Sequence, residues 1–479
     1  MAPALMIAKE DRRDLLLNEP LHRIIPRMAI PTIISMMITS LYSLADTYFV
    51  SSLGTDAAAA VGVNFSLDNI IMTAGSFLAV GANSYIARLL GARQDRKASQ
   101  VLSTAFFTAF LTGTTVMTFG FIFMDPLVRL LGATGSVIPY SKDYASFILY
   151  AAPFMAANFV MNQCLRSEGS AVYSMIGMVS GAILNIGLDP LFIFVFGWGI
   201  KGAAAATAIS KFVSFMILVS PYLRRKSLLH LSFRNIAYSR DIVTEVTKMG
   251  SPTLIRIGLV AISTIILNNL AGQFSNSALA AISVANRVMM FVNAIVLGFG
   301  QGYQPVAGFN WGAKRFDRVR DAFWFSSVTG AGGAAVLGLF LAIFAPQVMG
   351  LFTTEDAAML TTGLLCIRLQ CLTLPIHAWV IIVNMSYASL GKARGAAILS
   401  ISRQGICFIP MVLLLPALFQ ENGLAAAQAA ADVLSLLIAL PLCISLLKEV
   451  RLLLAEQQRR LSEQRMEPSV QPEADVQCS

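Results

Sequence analysis

Long apolar runs dominate the chain, each about the length of a bilayer-crossing helix and set apart by short polar or basic segments. The pattern predicts twelve spans, at approximately 24–50, 57–82, 98–123, 141–165, 171–196, 203–222, 245–271, 279–305, 319–344, 358–388, 395–418 and 424–447. The uncharged run from Ile257 to Asn286 alone is long enough for a helix, a turn and part of another helix. A β-barrel would instead show alternating segments of about ten residues.

Basic residues test this count, because loops on the cytoplasmic side of a membrane protein are enriched in Lys and Arg. The connecting segments alternate as twelve spans require. One side holds Arg88, Arg93, Arg96 and Lys97, then Arg166, the group Arg224, Arg225, Lys226, Arg234 and Arg240, the group Lys314, Arg315, Arg318 and Arg320, and finally Lys392 with Arg394. Loops on the opposite side carry only Arg129, Lys142 and Lys201. Both termini are therefore expected in the cytoplasm.

The chain also repeats itself at a shift of about 221 residues. "AIPTI" at Ala29 meets "GSPTL" at Gly250, "LGARQDRKA" at Leu90 meets "WGAKRFDRV" at Trp311, and "KGAAAA" at Lys201 meets "NGLAAA" at Asn422. Six spans per copy is an even number, so both copies enter from the same face and are related by an axis along the membrane normal. The expected fold is all-α and integral to the membrane, two six-helix bundles related by that pseudo-twofold axis. The expected organisation is a cytoplasmic N-terminal segment (1–23), an N-lobe (24–222), a basic cytoplasmic linker (223–244), a C-lobe (245–447) and a cytoplasmic amphipathic and disordered tail (448–479).

Composition agrees: 56% of residues are hydrophobic and 13% charged, with a mean hydropathy of +0.69. The net charge of +9 sits in clusters between apolar spans, which fits membrane orientation and not nucleic acid. Six cysteines form no CxxC pair and five fall within spans, which argues against disulfide or zinc frameworks. No HExxH, nucleophile elbow or P-loop is present, so an enzyme is not expected.

Beyond the first few residues of each span carboxylates are few: Asp46, Asp68, Asp189 and Asp432. An ionised group in hydrocarbon costs at least about 2.5–3.5 kcal/mol, so each is a functional candidate by default. Asn185 lies four residues before Asp189 and shares its helical face. Thr207 enters about 7 Å deep at 1.5 Å per residue. Asp46, Asn185, Asp189 and Thr207 thus share a depth and form a candidate site for H⁺ or Na⁺. Pro190 frees the carbonyl of Ile186 and loosens the helix beside the acid. The alternative for Asp189 is a buried acid paired to an arginine or capping a broken helix.

Asp68 and Asp432 are read as hydrated or cavity-lining. Lys211, Arg256 and Arg403 are read as snorkelling towards a cytoplasmic end, while Arg287 and Arg368 are placed deeper, each paired with an acid or a helix end. His377 is read as a hydrogen-bonded packing residue. Met289 and Met290 are candidates for an adaptable pocket wall.

Taken together, "AIPTIISMMITSLYSLADTYFVSSLG", "ARLLGARQDRKA", "CLRSEGS", "ILNIGLDPLFIFVFGWGIKGAAAAT" and "GFGQGYQPVAGFNWGAKRFDRV" resemble the multidrug and toxic compound extrusion (MATE) family, from about Pro26 to Lys448. The resemblance is to the prokaryotic branch with coupling acids in the N-lobe. It implies that Asp46, Asn185, Asp189 and Thr207 match a cation site, that Pro31 matches a bend in the first span, and that Tyr42, Tyr144 and Asn162 match neighbouring cavity positions. It further implies a prokaryotic inner-membrane antiporter of organic cations or amphipathic small molecules, drugs or toxic metabolites, driven by H⁺ or Na⁺, with no other cofactor and a monomer as the functional unit. A flippase for lipid-linked saccharides is the alternative on the same architecture.

Overall fold

A computed structural model describes residues 9–352 and 356–466. The disordered end expected beyond the tail helix and Cys478 lie outside the described residues. A short helix, α1 (Lys9–Asn18), precedes α2 (Leu21–Ser51), α3 (Thr55–Gly91), α4 (Asp95–Ile122), the short α5 (Met124–Leu130), α6 (Val137–Ser167), α7 (Ala171–Pro190) and α8 (Ile200–Leu223). After a connecting segment come α9 (Arg240–Phe274), α10 (Asn276–Gly312), α11 (Phe316–Gly350), α12 (Ala357–Ser389), α13 (Ala393–Ile401) and α14 (Phe408–Met466).

Eleven helical stretches are long and apolar enough to cross a membrane, and the last covers 68 residues from Ala393 to Arg460. That stretch breaks at Gln420, whose φ of 52° and ψ of −133° are not helical, so it holds two spans and the total among the described residues is twelve. The break repeats the first half. Gly199, 221 positions earlier, has φ 55° and ψ −132° at the N-cap of α8. Glycine reaches that conformation without penalty, whereas a glutamine there is strained.

Other landmarks recur in the same register. Arg93 and Lys314 both have φ 59°, and Gly169 and Gly391 have φ 84° and 78°. The packing repeats too. In the first half α6 is the central helix, with 72% of its apolar window buried, and it packs on α3, α4 and α8. Its counterpart α12 is 67% buried and packs on α10, α11 and α14. Between halves, α2 meets α10 as α9 meets α3, the pairing a twofold axis demands.

Close approach of the halves occurs at the end carrying the basic loops. A Cβ on Gly312 would lie 2.8 Å from the carbonyl carbon of Arg88, and a Cβ on Gly91 would lie 2.9 Å from that of Phe309. Those two contacts are symmetry mates, and only glycine leaves room for them. Asn83 and Gln304, 221 residues apart, hydrogen-bond to each other at 3.3 Å across the axis. Arg88 adds an ion pair to Glu245 at 2.6 Å, Arg166 donates to Gln301, and Ser84 donates to the Ala388 carbonyl.

Helix α1 also bridges the halves at this end. Ten residues are too few for a stable isolated helix, so docking must hold it. Arg12 donates to Ser170 at 2.9 Å and Arg13 pairs with Asp95 at 2.5 Å, both in the first half. The carbonyls of Leu16, Leu17 and Glu19 accept from Asn310, Arg315 and Arg318 of the second half at 3.1, 2.8 and 2.7 Å. At the other end of the chain, α14 runs on past Lys448 to Met466, so the expected tail helix is a continuation of the last span.

Candidate functional site

Helix α7 stays α-helical to Pro190 and then widens into a π-helical turn over Leu191–Val195. Proline supplies no N–H to continue the ladder, and π-turns of this kind often sit at functional positions. Asp189 lies two residues before that turn. It is fully buried, as are Asn185 on the same face and Thr207 on the facing α8. The two helices come close because Gly181 leaves room for Ser214, which a Cβ would approach to 2.8 Å.

Asn185 is the hub of the group. Its Nδ2 donates to Asp189 Oδ1 at 3.3 Å and to Thr207 Oγ1 at 3.2 Å. Tyr144 on α6 is buried, with Thr207 as a neighbour. Asp46 on α2 makes no hydrogen bond to these residues, yet lies within electrostatic range of Asp189, Asp68 and Tyr144. Buried acceptors without a hydrogen-bond donor here are Asp46 Oδ1, Asp68 Oδ1, Asn185 Oδ1 and Asp189 Oδ2, joined by Asn158 Oδ1. Buried polar atoms are normally satisfied, so these acceptors leave room for a donor or a cation at the site.

A cavity of about 40 Å³ opens beside this group, lined by Thr39, Tyr42, Asn158, Asn185, Thr207 and Lys211 among others. That volume admits about two or three water-sized occupants. A larger crevice of about 780 Å³ lies elsewhere, at the basic end among Arg13, Arg93, Arg96 and His230. Among the described residues no three His, Cys, Asp or Glu side chains converge closely enough to hold a metal ion. The oxygens nearest one another are therefore those of Asn185, Asp189 and Thr207, with Asp46 a neighbour and not a bonded member of the set.

The MatE family model matches residues 31–191 and 252–414, one block in each half. The chain belongs to the MatE family. Similar proteins include the multidrug export protein MepA of Staphylococcus saprophyticus, 26% identical over 416 residues, covering 87% of this chain and 90% of that one. MepA of Staphylococcus aureus strain N315 is 27% identical over 429 residues, covering 89% and 92%. The fold matches an outward-facing multidrug resistance MATE transporter of the MOP superfamily with a TM-score of 0.86, at 26% identity over 91% of this chain and 98% of that one.

Within this MatE chain several expected positions lie elsewhere. Asn162 is buried near the basic end, where its Nδ2 donates to Ser174 Oγ at 2.8 Å and its Oδ1 accepts from Arg166, so it does not line the pocket. Met289 packs in the hydrophobic core of the second half, and Met290 is 46% exposed. Pro31 lies inside a continuous α2 with Ser35 Oγ donating to its carbonyl at 2.8 Å.

Asp68 faces the site through charge, within range of Asp46 and Lys211. Lys211 does not snorkel. Its ammonium sits 4.9 Å from the centroid of the Tyr42 ring and lines the pocket. The signal for it was available, since Lys211 is four residues after Thr207 and so on the same face of α8. Asp432 and Arg403 depart from expectation in the same way: they pair with each other at 2.7 Å, and Asp432 is buried, not hydrated. Arg287 and Arg368 are exposed and have no ion pair among the described residues.

Proposed function

We propose that this chain is a multidrug exporter that expels organic cations or other amphipathic small molecules in exchange for inward H⁺ or Na⁺. Membership of the MatE family, likeness to MepA exporters and the twofold two-bundle fold support export of small molecules across a membrane. The positive-inside rule supports a cytoplasmic position for the closed end, and with it an outward-facing reading of this conformation.

One observation carries the coupling: the buried oxygens without donors on Asp46, Asp68, Asn185 and Asp189. Each unsatisfied buried acceptor costs about 1–3 kcal/mol. A proton or a sodium ion arriving from the open side supplies the missing partner and neutralises the anions. Asp189, Asn185 and Thr207 form the preassembled part, and Asp46, on the first span, is the member that moves to join them. Pro31 lies four turns nearer the closed end and leaves α2 one backbone hydrogen bond short, where the helix can bend. Each positive charge entering yields about 2.3 kcal/mol per 100 mV, a gradient of about fiftyfold.

Proteoliposomes with the pH and Na⁺ gradients imposed separately test the reading. Asp46→Asn and Asp189→Asn are expected to abolish gradient-driven efflux while leaving the protein folded in the membrane. Undiminished efflux in both variants would sink the site.

A further inference from the structure

The 221-residue repeat carries the pocket of the first half onto a second polar cluster. Ala182, Thr207 and Lys211 line the first pocket, and Arg403, Gln428 and Asp432 stand at the equivalent positions. The signs are exchanged: the lysine becomes an acid, and an alanine becomes an arginine. Around Lys211 lie the acids Asp46 and Asp68, whereas Asp432 is paired with Arg403, which has a second cation, Arg256, within electrostatic range.

Asp432 is fully satisfied by its own surroundings. Its Oδ1 accepts from Arg403 Nε at 2.7 Å and Gln428 Nε2 at 3.3 Å, and its Oδ2 accepts from Thr373 Oγ1 at 3.4 Å. Arg403 spends only one of its five N–H donors in this way. Its two terminal nitrogens carry no hydrogen bond among the described residues. Arg256 on α9 lies within electrostatic range of Arg403 and makes no hydrogen bond or ion pair among the described residues. His377, buried on α12 and also in range of Arg403, has an Nδ1 without a partner.

The platform is rigid. Arg403 sits in the π-helical turn Ser402–Ile406, and Ser263 Oγ of α9 donates to the Gln404 carbonyl at 2.5 Å. Gly405 lets Leu259 of α9 pack against the same turn. Two guanidinium groups within electrostatic range of each other, with a single carboxylate paired to Arg403, leave a surplus positive charge in a partly buried place, which is costly until an anion joins it. A planar carboxylate matches the unused edge of a guanidinium with two parallel hydrogen bonds.

We propose that Arg256 and the free edge of Arg403, with His377 beside them, form an anion-accepting subsite for the carboxylate of an organic small molecule. It rests on the reading of the chain as an exporter only for the class of ligand, so binding is measured and not transport. The full chain in nanodiscs is titrated into rhodamine 19, which bears a carboxylate, and into its ethyl ester rhodamine 6G, which does not, with fluorescence anisotropy as the readout. Wild type binds both, and Arg256→Gln weakens rhodamine 19 by about tenfold or more, the loss of a charge-assisted hydrogen bond. The same change leaves rhodamine 6G within about twofold, and Arg256→Lys recovers part of the loss because it keeps the charge without the fork. Failure of wild type to bind rhodamine 19, or an equal effect of Arg256→Gln on both dyes, overturns the subsite. Gradient-driven efflux of rhodamine 6G is followed separately, so its loss with the Arg256 dependence intact strikes the antiport reading alone.

Discussion

Replacing Gly312 by alanine should open the basic end. In the closed arrangement the new Cβ would lie 2.8 Å from the Arg88 carbonyl carbon, whereas ordinary contact begins at 3.4 Å, so α3 and α10 must part by more than 0.6 Å. Neither partner can yield alone, because the clash is with backbone and not with the end of a flexible side chain. Overpacking of this kind costs about 1–3 kcal/mol, which changes the ratio of closed to open molecules by about 5- to 150-fold. The Asn83–Gln304 bond and the Arg88–Glu245 pair span the same gap and weaken with it. Gly91→Ala makes the mirror-image clash against Phe309, and one separation of the helices relieves both, so the double variant should cost much less than twice the single one. Spin labels at Arg96 and Arg320, both exposed, report the distance between halves by double electron–electron resonance in nanodiscs, with Cys478 changed to serine. The other five cysteines are buried. A longer distance population is expected in Gly312→Ala and none in Gly332→Ala, where a Cβ meets nothing within 4 Å. An unchanged distribution in Gly312→Ala refutes the idea that these glycines set the closed end.

Two further outcomes follow from the same end of the molecule. Burial lifts the Glu168 carboxyl to about 7, with the Ser227 hydroxyl and Arg12 offsetting part of that rise. The stability its protonation lends is fully present below about pH 4.5 and is lost as pH rises through about 7, to a total of about 3 kcal/mol. The thermal midpoint should therefore fall between pH 5 and 8, and Glu168→Gln should flatten that slope; an identical slope in the variant would remove Glu168 as its source. Arg315→Ala deletes two charge-assisted bonds to α1, at 2.8 and 2.7 Å, each worth about 1.5–3 kcal/mol, and should speed amide exchange in α1 by at least about tenfold in mass-spectrometric measurements. Unaltered exchange would mean that the Arg315 bonds do not hold the helix.

Much of the architecture was legible in the chain because a bilayer restricts it to apolar helices of defined length. Span count, the repeat and the alternation of basic loops all follow from one-dimensional patterns, and the shared depth of Asp46, Asn185, Asp189 and Thr207 follows from helical rise. Partner choice did not. Lys211 was read as snorkelling, yet the Tyr42 ring and two acids hold it in the pocket. Asp432 was read as hydrated, yet Arg403, 29 residues earlier in sequence, encloses it. Asn162 turned to Arg166 on its own helix instead of facing the cavity.

The distinction has a physical origin. Hydropathy, charge bias and the 221-residue register are properties of residues and their spacing along the chain, so the sequence by itself determined that two six-helix bundles cross a membrane and which acids fall within their spans. Whether a buried charge meets a cation, a ring or nothing depends on how helices rotate and pack against one another. Only the tertiary structure decided that Asp189 keeps an oxygen without a donor while Asp432 has none to spare, and that the halves touch through glycine at one end and not the other.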